Sequence, residues 1–283
     1  MPAVFLTGAT GFIGSAVLTA LLAEGRSVTA LVRTQEKADQ IAAAGATPLI
    51  GSITDLDLVA TAAADSAGVI HTASPGDATS AELDRAFTAS VLTALEGSSI
   101  PYVHTGGIWS FGAGDHITER TPSNPPALTL WRASVEALVR RSSVRTTIIV
   151  PGVVYGPSGT GLAALLRPDA DGTTRLIGSG DQHWTTVHSG DLAQLYVLAL
   201  DAADQDALYI GAGGTNPTVR ELASAIPGAS TIVAESDDET RERLGTAFAD
   251  ALLLDQQASG SLARTELGWE PNHPQLITEL GKS

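Results

Sequence analysis

Short apolar runs alternate with longer amphipathic stretches over the first half of the chain. Residues 3–6 (AVFL) are apolar without a break and predict a buried strand, and residues 15–24 carry apolar side chains at helical spacing. The alternation continues with a strand at 27–33, a helix at 35–44, strands at 47–50 and 68–71, a helix at 80–95, a strand at 102–105, a helix at 127–141 and a strand at 146–150. Strands that alternate with helices require crossover connections, and these build a parallel sheet covered on both faces. The predicted fold class is therefore α/β, a doubly wound parallel sheet. Ligands of such sheets bind beyond the carboxyl ends of the strands. That rule gathers residues 8–14, Arg33, 51–53, 71–74 and 105–107 on one rim.

The regularity breaks after Pro151. Residues 152–181 are rich in Gly and Pro and predict loops with a short helix near 161–166. A helix follows at 190–202, which Asp191 is placed to cap, then a strand at 208–210 and a helix from Thr218 to about 226. The tail from 230 onward contains an acidic stretch at 235–239 and the segment LGWEP at 267–271.

The first strand-to-helix turn reads Thr7-Gly-Ala-Thr-Gly-Phe-Ile-Gly14. Three glycines at this spacing form a pyrophosphate cradle. Gly8 permits the tight turn, Gly11 admits the phosphates to the backbone, and Gly14 lets the helix pack close to the strand, with the helix N-terminus facing the negative charge. Thr10, Phe12 and Ile13 complete the loop.

Composition sets the outer bounds. Hydrophobic residues make up 43% of 283 and charged residues 17%, which is globular, and no apolar run reaches the ~18 residues of a membrane span. The start of the chain carries no basic segment and leads straight into a strand, so no secretory signal is expected and the expected location is the cytoplasm. There are no cysteines, which excludes disulfides, thiolate nucleophiles and cysteine metal sites. A net charge of −15 argues against nucleic-acid binding. Six histidines without a His-x-x-x-His pair or a visible carboxylate partner predict no metal site. Of the 16 basic residues only Lys37 and Lys282 are lysines.

Taken together the motifs resemble the extended or atypical short-chain dehydrogenase/reductase superfamily, of the NAD-dependent epimerase/dehydratase type. The matching pieces are TGATGFIG at 7–14, GSITD at 51–55, VIHTAS at 69–74, YVHTGG at 102–107, VYGP at 154–157, TTVHSGDLA at 185–193 and ELGW at 266–269. The resemblance implies a Rossmann domain at 1–152, completed by about 184–211, and a substrate lobe from 153–183 and 212–283. It implies a small-molecule substrate, and a homodimer formed through the helices at 80–95 and 127–141. Relatives that prefer NAD carry Asp or Glu at the end of the second strand; here the slot holds Arg33, whose guanidinium suits a 2′-phosphate. NADP(H) is therefore the expected cofactor, with NAD(H) as the lesser one. Ser52, Ile53, Thr72, Ala73, Ser74, Thr105 and Arg132 would complete the cofactor contacts.

The family's proton machinery is a Tyr-x-x-x-Lys pair on the helix after the fifth strand, plus a Ser or Thr at that strand's end. Spacing of four puts both on one helix face. The pair is absent: four residues beyond Tyr102, Tyr155, Tyr196 and Tyr209 stand Gly106, Gly159, Leu200 and Gly213. Aligned on Glu136, Arg132 fills the lysine slot and Leu128 the tyrosine slot, and Gly107 replaces the serine. Arg132 could hold ribose hydroxyls but cannot relay protons. The proton would come from Tyr155 or Thr105, with His104, Ser110 and His116 as further candidates. Gly107, Trp109, Phe111, Leu128, Trp131 and Tyr155 are the expected substrate pocket. His71 is expected beside the cofactor, His188 within a strand-to-helix turn, and Trp269 in the core. The expected function is an NADP(H)-dependent oxidoreductase acting on a small or medium carbonyl or alcohol through a non-standard proton donor. Two alternatives stay open: a redox-silent NADP-binding sensor, and a sugar-nucleotide epimerase or dehydratase.

Overall fold

A computed structural model describes residues 2–157, 159–202 and 206–282. They form two compact units, Met1–Gly106 with Ser134–Ile149 and Leu192–Tyr209, and Gly107–Ala133 with Val150–Asp191 and Ile210–Ser283.

The first unit is organised by a seven-stranded sheet. Its order is Ala207–Gly211, Thr146–Pro151, β5 (Tyr102–Thr105), β4 (Gly68–His71), β1 (Val4–Thr7), β2 (Val28–Val32) and β3 (Thr47–Ile50). The pairs from β3 across to Thr146–Pro151 all run parallel. β1 and β4 are buried at every position, which is why they read as unbroken apolar runs rather than alternating ones. The chain winds outward from β1 in one direction and then from β4 in the other, so a ligand crevice is expected at the carboxyl ends of these two strands. The register sets Thr7 opposite His71 and His71 opposite His104. Partners across parallel strands project to the same face, so these side chains form a row.

Helices α1 (Phe12–Ala23), α2 (Gln35–Ala43), α3 (Leu56–Ala64) and α4 (Ser80–Leu95) connect the strands. α2 starts at Thr34, whose hydroxyl accepts the Lys37 N–H. α4 buries Ser80, Asp84, Phe87, Thr88, Val91, Leu92 and Leu95, a stripe at helical spacing that includes one carboxylate. α3 is not predicted by the sequence pattern: LDLVATAAA is apolar nearly throughout and shows little helical period. The helix expected from 127 begins instead at Arg132, because Pro125 and Pro126 impose turns first; Thr129 N bonds Pro126 O and Arg132 N bonds Thr129 O.

The second unit is built from short parallel strand pairs: Val153–Tyr155 with Thr186–His188, Thr173–Arg175 with Thr231–Val233, and Gly114–Ile117 with Gln256–Ala258. Strands of three or four residues are too short to show a period, and the sequence pattern predicts none of these. Leu166, Leu176, Trp184, Leu222, Leu252 and Leu276 centre its core. The acidic stretch at 235–239 opens the helix Asp237–Leu244, where Ser236 and Glu239 form a capping box. Residues 107–133 belong to this unit: the Gln256 amide donates to the carbonyls of Ile108 and Gly112 at 2.9 and 2.6 Å. Trp269 is buried in it, its indole N–H bonded to the Asp191 carbonyl. No helix among the described residues is long and apolar enough to cross a membrane.

Candidate functional site

The glycine turn has the geometry of an anion cradle. Gly8 lies at φ 76°, and a Cβ there would stand 2.7 Å from both Ala73 N and Thr72 Oγ1. A Cβ on Gly14 would stand 2.0 Å from the Gly8 carbonyl oxygen, so that position is closed to any side chain. Gly11 N donates to Gly8 O at 2.8 Å and closes the turn. Thr72 Oγ1 donates to Thr7 O at 2.8 Å, stitching the loop after β4 to the loop after β1. Gly11 is also the N-cap of α1, with no side-chain cap and no acidic residue in the first turn. The first N–H groups of α1 and their partial positive charge are thus left for a ligand anion. This backbone fits a dinucleotide pyrophosphate.

A cleft of about 810 Å³ opens over the turn. Of the predicted cofactor residues, Gly8, Thr10, Gly11, Arg33, Ser52, Ile53, Thr72, Ala73 and Ser74 line it. Gly14 acts from beneath by close packing, Phe12 and Ile13 start α1 outside the lining, and Thr105 and Arg132 do not line the cleft. Thr34, Glu36, Lys37, Pro75 and Leu83 also line the cleft, and sequence reasoning does not find them. Lys37 alone carries a signal there, as the residue four positions past Arg33 in the first turn of the next helix. Arg33 is exposed, and among the described residues it makes no hydrogen bond or ion pair. Lys37 Nζ donates to Gln40 Oε1 at 3.1 Å. Two cations thus stand on the rim beside the end of β2, opposed by one carboxylate, Glu36.

Beneath the cleft runs a row of buried polar groups. His71 Nδ1 lies 2.6 Å from Thr7 Oγ1, and His71 Nε2 lies 3.0 Å from Asp84 Oδ1 on α4. The other carboxylate oxygen of Asp84 lies 3.9 Å from His104 Nε2, and His104 Nδ1 lies 2.9 Å from the Tyr102 hydroxyl. Phe87 stacks on His71 with ring centres 3.9 Å apart. Burial, and then the charge of Asp84, holds the Tyr102 phenol well above its ordinary pKa. At the end of β5 the Thr105 hydroxyl donates to the His71 carbonyl at 2.6 Å and receives the Tyr196 hydroxyl at 2.7 Å.

A family model described as NAD(P)H-binding matches residues 8–202. The chain belongs to this NAD(P)H-binding family. An uncharacterized Schizosaccharomyces pombe protein, C2A9.02, is 32% identical over 98% of this chain and 97% of its own length. A Stigmatella aurantiaca protein, the 4-hydroxy-2-methyl-3-oxo-4-farnesyl-3,4-dihydroquinoline-1-oxide ketoreductase, is 27% identical over 82% of this chain and 74% of its own. Among solved structures, a dTDP-glucose 4,6-dehydratase from Streptomyces venezuelae, with NAD bound, superposes with a TM-score of 0.79 at 21% identity. That alignment covers 98% of this chain and 94% of the other, and shows the fold.

In this NAD(P)H-binding protein the second unit places the remaining candidates as follows. The Tyr155 hydroxyl donates to the Pro274 carbonyl at 2.8 Å, and the residue is buried. Burial first, then Asp191 and Glu279, pushes its pKa up to about 12, so its proton is held rather than offered. The Arg132 guanidinium lies over the Trp131 ring at 4.6 Å. Leu128 is exposed, Phe111 is buried, and Trp109 meets Phe248 edge to face at 6.4 Å. A Cβ on Gly107 would meet nothing within 4 Å.

Two expectations about histidines and capping are corrected. Four histidines do have carboxylate partners, His71 and His104 with Asp84, His183 with Asp255 and His273 with Asp191, all too far apart in sequence to be seen there. Asp191 is not a cap: it lies inside the helix Ser189–Ala202, and its carboxylate accepts the N–H groups of Asn272 and His273 and the His273 ring nitrogen. His188 behaves as expected, its Nδ1 accepting the Gly190 N–H at 3.0 Å. His188, Asp191 and His273 cluster closely enough to suggest a metal. However, the two imidazoles are stacked at 4.0 Å and only 11° from parallel, and an imidazole lone pair lies in its ring plane. One ion could not lie in both planes at bonding distance, so the stack is a packing arrangement.

Proposed function

We propose that this protein is an NADP(H)-dependent oxidoreductase that interconverts a carbonyl and an alcohol on a small or medium-sized molecule. The observation that carries the cofactor choice is Arg33 on the cleft rim, without a protein partner among the described residues and with Lys37 beside it. A 2′-phosphate there would take charge-assisted hydrogen bonds worth ~1.5–3 kcal/mol. The ketoreductase relative supports the reaction class. When bound, the cofactor supplies the hydride. The chain's residues hold and orient: the turn at 8–14 takes the pyrophosphate, Arg33 and Lys37 the 2′-phosphate, and Thr72, Ala73 and Ser74 line the wall after β4. Of the proton candidates, Thr105 keeps a half-buried hydroxyl at a strand's carboxyl end, with Tyr196 behind it. To meet a substrate oxygen as a donor it would have to release the His71 carbonyl, with Tyr196 still donating to it.

A second reading, a redox-silent NADP-binding sensor, is favoured by Leu128 and Arg132 standing in the slots of the family's tyrosine and lysine. Fluorescence titration and a carbonyl panel separate the two. Arg33→Ala should weaken NADPH by tenfold or more and leave NADH nearly unchanged. Equal loss for both would refute the phosphate assignment, and NADPH binding without turnover on any carbonyl would favour the sensor.

A further inference from the structure

Among the residues that line the cleft, three carry a charge, and one of the three has the sign that repels a phosphate. Arg33 follows β2, and Glu36 and Lys37 lie in the first turn of α2. Asp39 and Asp55 stay outside the lining, where they accept the Gln35 amide and the Ser52 N–H. Two cations and one carboxylate leave the rim a single positive charge. A 2′-phosphate brings about −1.5 to −2 at neutral pH. With Glu36 present the rim falls short of neutralising it; Arg33 and Lys37 alone would match it.

Neither cation consumes the Glu36 charge. Adjacent residues on a helix do not face each other, so Glu36 and Lys37 are separated by the helix itself. Gln40, one turn on, lies between them: its amide nitrogen donates to Glu36 Oε1 at 3.5 Å and its amide oxygen accepts Lys37 Nζ at 3.1 Å. A carboxylate in the first turn of α2 favours the helix, because the helix start carries partial positive charge. Helix stability does not explain why that carboxylate lines a cleft whose other charges are cations.

We propose that Glu36 is a specificity-determining residue that opposes the 2′-phosphate and so keeps NADH usable beside NADPH. This rests on the reading of Arg33 and Lys37 as phosphate partners given above. The repulsion acts on NADPH, which alone carries the extra charge; the pyrophosphate at the 8–14 turn is common to both cofactors. Fluorescence titration of the intact protein with NADPH and with NADH compares wild type and Glu36→Gln. Removing one like charge at a partly screened surface should tighten NADPH about two- to fivefold and leave NADH within about 1.5-fold. The gain should vanish in ~1 M NaCl, where the screening length falls to ~3 Å. Glu36→Asp, which keeps the charge, should keep the wild-type preference. A weakened α2 would loosen both cofactors, the opposite sign for NADPH, and urea unfolding reports it; Glu36→Ala serves the same comparison if the first variant is unstable. A folded variant whose NADPH affinity is unchanged, weaker, or raised equally with that for NADH overturns the proposal alone. If Arg33→Ala leaves NADPH binding unchanged, the phosphate reading fails and the proposal with it.

Discussion

Two glycine substitutions in one turn should separate folding from cofactor binding. A methyl on Gly14 would stand 2.0 Å from the carbonyl oxygen of Gly8 and 2.5 Å from its carbonyl carbon. Both are backbone atoms in the tightest turn of the sheet and cannot swing away, so α1 must move off β1. Overpacking of this kind costs ~1–3 kcal/mol or more. A methyl on Gly11 would come no nearer than 3.2 Å to the Gly8 oxygen, at an ordinary φ of −87°. Gly11→Ala should therefore change stability by less than about 1 kcal/mol. Yet Gly11 lines the cleft where the α1 N–H groups are exposed, and a methyl there would hold a pyrophosphate away from them. Losing one charge-assisted bond of ~1.5–3 kcal/mol weakens binding about tenfold to a hundredfold. Urea unfolding and NADPH fluorescence titration test both halves. Gly14→Ala should lose stability and affinity together, and Gly11→Ala affinity alone. A folded Gly11→Ala protein that binds NADPH within twofold of wild type would show that this turn is not the cradle.

Two further outcomes concern titration in the second unit. The Tyr155 pKa of about 12 lies above the unfolded value near 10, so its contribution is complete below pH ~10 and lost as pH rises through 12. Tyr155→Phe should cost about 1 kcal/mol at pH 8, from the lost bond to Pro274, and should show a shallower alkaline fall in the urea midpoint between pH 9 and 12. His188 has its pKa lowered, first by burial and then by His273, so its contribution is present above the unfolded value near 6.5 and lost as pH falls through the lowered one. His188→Asn keeps an acceptor for the Gly190 N–H and removes the titrating ring, so its urea midpoint should fall less steeply below pH 6.5 than wild type's.

The sequence discloses what is local and periodic. Every central strand follows from an apolar run, and Gly8, Gly11 and Gly14 are identified by spacing because each glycine answers a contact fixed by the turn. It does not disclose what depends on register. Nothing near His71 in sequence announces Asp84, but the pairing of Thr7, His71 and His104 across three strands, with α4 laid over them, makes the contact unavoidable. The one available sign is an aspartate on the apolar stripe of α4. Asp191 misleads for the opposite reason: an acidic residue near a helix start is a common cap, and only the returning 272–273 segment, over 80 positions on, reveals its partner. The strands of the second unit are illegible because three residues carry no period.

The loss of the family's tyrosine and lysine bears on how this site would work at all. A positioned general acid contributes ~10²–10⁴-fold. Holding the hydride donor against its acceptor supplies effective molarities of ~10⁵–10⁸ M, which is the greater contribution. The parts of the site that hold the donor are intact: the three-glycine cradle, the stitched loops after β1 and β4, and two cations on the rim. The hydroxyls that could act as the acid are already engaged, Tyr155 with Pro274, Tyr196 with Thr105, and Thr105 with the His71 carbonyl. An enzyme of this construction suits a substrate whose carbonyl accepts hydride before it needs a proton, because charge left on oxygen can be quenched by water. It is unsuited to epimerising or dehydrating an unactivated sugar, where an alcohol proton must leave as the hydride does. On the proposed oxidoreductase reading, the retained cradle and the engaged hydroxyls fit reduction of an activated carbonyl better than sugar-nucleotide chemistry.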